Sequence, residues 1–264
     1  MTLGRAAVLA ALASFGPGQA ASQEPQWRYL ARHLECALFQ ETIRTKVRGE
    51  SGGAIVEDRA GREAILAVTA RDSSGDLAVE AWFDSLSVWR ETSAGRETPD
   101  ADGVLGGRYR GSLSPGGRYH GAKTPFIPAD VADVADLSQT LSEFFPRLPG
   151  GRLTVGGTWR DSTGLEIRRP DADRRGGQSR LEWTWNRRRS DRAEVTDTLA
   201  VTVEQMIRET GDLVWSDRLG PLTWNRRLVI TAKIPTTGGV RRSITSTIQQ
   251  EISVVRLVER EPCR

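Results

Sequence analysis

Phe39-Gln-Glu-Thr-Ile-Arg-Thr-Lys-Val-Arg48 decides how this chain is read. Phe39, Ile43 and Val47 share one parity, and Gln40, Thr42, Arg44, Lys46 and Arg48 fill the other. Successive side chains of a strand point to opposite faces, so alternation at a period of two belongs to a β-strand with one wet face. A surface helix would space its apolar residues every three to four positions instead.

The same pattern runs outward in both directions. Leu77–Arg90 carries Leu77, Val79, Ala81 and Phe83 on one side. Leu165 and Ile167 alternate with polar neighbours, as do Leu181, Trp183 and Trp185, and Leu199, Val201, Val203 and Ile207 share a face. Leu222–Ile234 and Arg241–Glu259 read as long strands joined by a turn at Thr236–Gly239. Turns are expected at Gly52-Gly53, at Ala60-Gly61 and at Ser73-Ser74-Gly75. Two Gly-Gly-Arg-Tyr words, Gly106–Tyr109 and Gly116–Tyr119, flank a Ser-Pro-Gly-Gly turn and predict a hairpin. Connections this short build antiparallel meanders.

Ala129–Phe145 is the exception. Val131, Val134, Leu137, Leu141, Phe144 and Phe145 follow helical spacing, and Pro146 and Pro149 end the segment. The prediction is therefore mainly β: a large antiparallel open sheet, half-barrel or sandwich with one amphipathic helix, 129–145, packed on it. One β-rich domain is expected over 21–264, with a division into two halves near 122–128 as the alternative.

Met1–Ala20 reads as a secretory signal peptide. Arg5 precedes a short apolar run from Ala6 to Phe15, and Gly18-Gln-Ala20 offers small residues for cleavage. The protein is thus expected to be exported, to the periplasm or beyond. In an oxidising compartment Cys36 and Cys263, the two cysteines of the chain, are expected to form a disulfide joining its ends. Two cysteines are too few for a four-cysteine zinc module, and no apolar run is long enough for a transmembrane helix.

No catalytic motif emerges. His33 and His120 are the only histidines, and each reads as a packing or surface residue. A metal site built on His33-Leu-Glu-Cys36 lacks ligands at tight spacing. Asp171-Ala-Asp-Arg-Arg-Gly176 with Glu182 has calcium-loop spacing, but Arg175 stands where an oxygen ligand belongs. Glu41, Asp84 and Glu204 are strand carboxylates that a hydrolase would have to bring together. No cofactor is implied.

Lys46, Lys123 and Lys233 are the only lysines among 37 basic residues, so the chain is rich in arginine. With 34 acids interspersed and a net charge of +3, the arginines read as a solvated face rather than a nucleic-acid surface. Thr184-Trp-Asn-Arg-Arg188 recurs as Thr223-Trp-Asn-Arg-Arg227, which suggests two strands of similar role with tryptophan toward the core and arginine toward water.

Eight tryptophans are the remaining excess. If the sheet curls under the helix, Trp82, Trp89, Trp159, Trp183, Trp185 and Trp224 could line an apolar groove with Leu137, Leu141 and Phe144. Phe144-Phe-Pro-Arg-Leu-Pro149 followed by Leu153-Thr-Val-Gly-Gly-Thr-Trp159 resembles an exported, β-rich bacterial family of unknown function, over residues from about 76 to 258. That family brings no catalytic residues to carry over. A looser, architectural likeness is to the periplasmic lipoprotein carriers, whose open barrel is capped by helices. These considerations favour a non-catalytic envelope protein binding a lipid or other apolar ligand. The alternative is a structural module that docks another envelope protein; a carboxylate hydrolase ranks third.

Overall fold

The structure, a computed structural model, describes residues 27–51, 53–170, 177–196, 199–234 and 244–257. The expected signal peptide, Cys263, the Thr236–Gly239 turn and Asp171–Gly176 of the calcium-like loop lie outside the described residues.

Twelve strands follow in chain order: β1 (Ala37–Ser51), β2 (Ala54–Ser73), β3 (Asp76–Thr92), β4 (Gly95–Glu97), β5 (Tyr109–Leu113), β6 (Tyr119–Lys123), β7 (Thr158–Arg160), β8 (Glu166–Arg168), β9 (Gln178–Thr196), β10 (Leu199–Ser216), β11 (Gly220–Ile234) and β12 (Ile244–Leu257). All belong to one antiparallel sheet that is not closed into a barrel. Its order is β6-β5-β3-β2-β1-β12-β11-β10-β9-β8-β7, with β4 beside β3. The sheet is two meanders sewn together where β1 pairs with β12, from Leu38 opposite Leu257 to Glu50 opposite Thr245. Among the described residues no helix is long and apolar enough to cross a membrane.

Alternation sorts the sheet into two faces. Phe39, Leu66, Val68, Ala81, Phe83 and Trp224 point to the inner face, where they are buried. Three short helices cover its upper half: α1 (Ala31–Leu34), α2 (Ala129–Val134) and α3 (Thr140–Phe144). Phe144 of α3 meets Phe39 at 5.4 Å and Trp224 at 5.0 Å between ring centroids, both edge-to-face. Burying each such ring contributes about 1.5–3 kcal/mol. The outer face is a ladder of threonines and charges, with ion pairs such as Arg44 to Glu63 and Lys46 to Glu57.

Two expectations need correction. The Ala60-Gly61 turn does not form, because β2 runs straight through it. Gly61 serves packing instead: a Cβ there would stand 2.5 Å from the Trp89 indole. The helix expected over 129–145 is broken into α2 and α3. Ala135 is extended, and the Asp136 carboxylate accepts bonds from the Ser138 amide at 2.9 Å and its hydroxyl at 2.6 Å. Short polar side chains that bond nearby backbone compete with helix in this way. The Leu137 carbonyl, released from the helix, accepts from the Tyr109 hydroxyl at 3.0 Å. The apolar spacing survives the break because both pieces lay the same side against the sheet.

Candidate functional site

Two diagonal arginine–glutamate pairs hold α3 to the inner face. On one side Arg62 of β2 lies 2.9 Å from Glu41 of β1, and its Nη1 donates to the Thr140 hydroxyl at the start of α3. On the other, Arg226 of β11 lies 3.3 Å from Glu209 of β10, and its Nη1 donates to the Glu143 carbonyl near the end of α3. Arg62 and Arg226 belong to one line across the sheet, Arg62–Ile43–Ile252–Arg226–Gly211–Trp183. Glu41 is almost wholly buried, and desolvation raises its pKa against the pull of Arg62.

Beside α3 and against the second pair is a cavity of about 330 Å³. Phe144, Phe145 and Leu165 bound it together with Trp183, Trp185 and Trp224. Glu209 orders the wall: it accepts from the Trp183 indole N–H at 3.0 Å while it pairs with Arg226. Trp185 donates to the Thr163 carbonyl at 2.9 Å, and Arg187 stacks on its ring at 3.8 Å. Beyond Ile252, which also lines the cavity, the inner face continues as Val47–Ile248–Ile230–Ile207. Val47, Ile248 and Ile230 there are partly open to solvent.

The nine expected groove residues divide into four groups. Leu137, Leu141, Phe144 and Trp224 are packed solidly between α3, its flanks and the sheet, each at most 2 % exposed. The space therefore lies beside that contact, at Trp183 and Trp185, rather than beneath it. Trp159, half-buried, packs near Gly150 at the β7 end. Trp82 and Trp89 do not join the others: Trp82 alternates with the inward Ala81 and Phe83, and an extra residue in β3 at Asp84, between the pairs Phe83–Leu66 and Ser85–Ile65, turns Trp89 to the outer face as well. There Arg108 stacks on Trp82 at 3.5 Å and Arg96 on Trp89 at 4.5 Å.

Sequence reasoning missed the charged part of the site. In the repeated Thr-Trp-Asn-Arg-Arg word the tryptophan and the first arginine are two residues apart, hence on the same face. Trp185 with Arg187 and Trp224 with Arg226 therefore both line the cavity. The expectation of arginine toward water holds for Arg188 and Arg227, which are exposed, but not for Arg226.

The other candidates stay apart. Glu41 is inside on β1, whereas Asp84 and Glu204 are exposed on β3 and β10. Glu204 is three strands away from Glu41 and in the row of Glu50, which along β1 is roughly 30 Å from Glu41 at the usual rise per residue. His120 is exposed on β6. His33 is buried edge-on against Trp215 at 5.4 Å, and its Nε2–H donates to the Asp217 carbonyl at 3.3 Å. Among the described residues no three His, Cys, Asp or Glu side chains cluster as a metal site would require.

No protein-family model matches the chain and no curated protein matches it, so the Phe144–Trp159 words stand as a resemblance. Among solved structures, a chain from "Lipid-protein interactions in lipovitellin" is similar over 84 % of this chain, at 9 % identity and a TM-score of 0.45. This chain spans 25 % of that one.

Proposed function

We propose that this is a non-catalytic, exported envelope protein that binds a lipid or other apolar ligand in the cavity beside α3. The carrying observation is that the tryptophan-lined cavity borders an inner sheet face whose lower aliphatic row is sealed by no helix among the described residues. A sheet whose inner face served only as core would have no such opening at the edge of its helical cover. A cavity of about 330 Å³ is at the small end of the range used by ligand sites. Export is supported by the Met1–Ala20 pattern and by the β1–β12 register. That register sets Cys36, just before β1, beside the end of β12, from which a short stretch leads to Cys263.

The alternative, a module docking another envelope protein, draws on Ile55 and Val56, exposed at the β1–β2 hairpin. Against it, the sheet ends in β6 and β7, strands of five and three residues. Such short edges offer little template for an added strand. Native mass spectrometry with lipid extraction, on protein purified from its own envelope, separates the two. A stoichiometric co-purified lipid is expected; protein without one, bound instead to a second polypeptide, favours the docking module.

A further inference from the structure

The polar lining of the cavity is unbalanced. Four arginines, Arg118, Arg147, Arg187 and Arg226, face two glutamates, Glu143 and Glu209. Among the described residues, Arg226 is the one of the four with a carboxylate partner, and that partner is Glu209. The cavity therefore carries positive charge that the described residues do not fully neutralise.

Arg147 is the best placed of these. It is half-buried, and the backbone on both sides of it is anchored. The Pro146 carbonyl accepts from the buried Tyr29 hydroxyl at 3.1 Å, and the Leu148 amide donates to the Gly116 carbonyl at 3.0 Å. The same segment is pressed onto the β5–β6 turn, where a Cβ at Gly117 would stand 2.3 Å from the Pro146 oxygen. That turn also delivers Arg118, and β9 delivers Arg187 already stacked on Trp185. Burial and the nearby Arg118 both disfavour the charge on Arg147, with Asp161 and Glu209 only partly offsetting them. A half-buried guanidinium on a rigid base presents a planar fork of donors suited to an oxyanion.

We infer that the ligand is a single-chain amphiphile with an anionic head, carboxylate or phosphate, held by Arg147 with Arg118 and Arg187 while its chain lies against Trp183, Trp185 and Leu165. This deepens the proposed function and rests on it. An anion supplies what the three arginines lack, and the tryptophan wall takes the chain out of water. A neutral lipid would leave the desolvated guanidinium uncompensated, and a cationic one would be repelled.

Calorimetric titration of the mature protein with dodecanoate and dodecyltrimethylammonium below their micelle concentrations, and with dodecanol below its solubility limit, tests this. Dodecanoate is expected to bind at least tenfold more tightly than the other two. Arg147→Gln should bring it within threefold of dodecanol while leaving dodecanol unchanged, with folding checked by circular dichroism. Arg187→Gln, on an exposed strand position, should lower the preference in the same direction and guards against misfolding of the first variant. Equal affinity for acid and alcohol, or a preference that survives both variants, overturns the anionic head but leaves an apolar site standing. Binding of acetate or inorganic phosphate as tightly as dodecanoate overturns the amphiphile in favour of a plain anion site. Binding of none of the three chains removes the proposed function together with this inference.

Discussion

Trp183 on β9 lies over Gly211 on β10, the residue directly opposite it in the ladder, so closely that a Cβ at Gly211 would stand 2.2 Å from the indole. The glycine gives the ring room to lie down, and the ring shields the bare backbone. In that position the indole N–H reaches Glu209. The opposite face repeats the device with Trp89 over Gly61.

Gly211→Ala should therefore lift Trp183 away from Glu209 and destabilise the protein by about 1–3 kcal/mol, the usual cost of overpacking. Urea denaturation measures the loss, and tryptophan emission should change in parallel. Gly61→Ala should cost a similar amount yet leave ligand affinity alone, because its ring lies on the outer face. Wild-type stability in both variants would show that the rings do not press on the glycines.

Glu209 is expected to matter through Arg226. Their side chains are 11 % and 13 % exposed, so removing the acid strands a largely buried guanidinium. Glu209→Ala should cost on the order of 3 kcal/mol, whereas Glu209→Leu combined with Arg226→Met should recover most of it. A double-mutant cycle in urea checks this. Strictly additive losses would mean that the two side chains do not interact.

His33 predicts an acid limb in stability. Its pKa falls from 6.5 to about 4, mainly through burial, with Arg32, Arg256 and Arg28 also opposing the charge. Nδ1 is buried without a partner, so a second ring proton would have no acceptor. The unfolded chain takes up the proton first, so this contribution is complete above pH 6.5 and disappears as pH falls toward 4. The loss is on the order of 3 kcal/mol. Urea midpoints at pH 7.5 and pH 4.5 should differ more in the wild type than in His33→Phe; equal differences would remove His33 as the cause.

The proposed Cys36–Cys263 clasp closes nearly the whole mature chain into one loop. The chain-entropy account assigns such a loop up to about 5 kcal/mol. Reduction, or Cys36→Ser, should lower the melting temperature of the exported protein by a comparable free energy. Peptide mapping without reductant should recover the two cysteines in one cross-linked fragment. Two free thiols in exported material would eliminate the clasp.

Much of this architecture is legible in the residues alone. Phe39, Ile43 and Val47, or Leu181, Trp183 and Trp185, announce half-wet strands because parity on a strand is a local property. The Gly116-Gly117 hairpin and the turn at Ser74-Gly75 are equally local, and Ser74 and Gly75 take positive φ there. The Asp136–Ser138 turn was present in the sequence as well, but the helical spacing around it concealed the break.

What the chain settles by itself is the alternation of strands, the face each residue takes within an unbulged stretch of strand, and the poverty of recognisable catalytic motifs. Tertiary structure alone decided which faces share a side, and the bulge at Asp84, set by the pairing with β2, turned Trp89 out of the groove. It also showed that Gly61 is room for a tryptophan rather than a turn, and that Gly211 makes the same room for Trp183. Most of all, it gathered Arg147 from a loop, Arg118 from a hairpin and Arg187 from β9 around one cavity. Parity depends on neighbours in sequence, whereas an uncompensated cluster of charge depends on strand order and register, which are set by contacts between residues far apart in the chain.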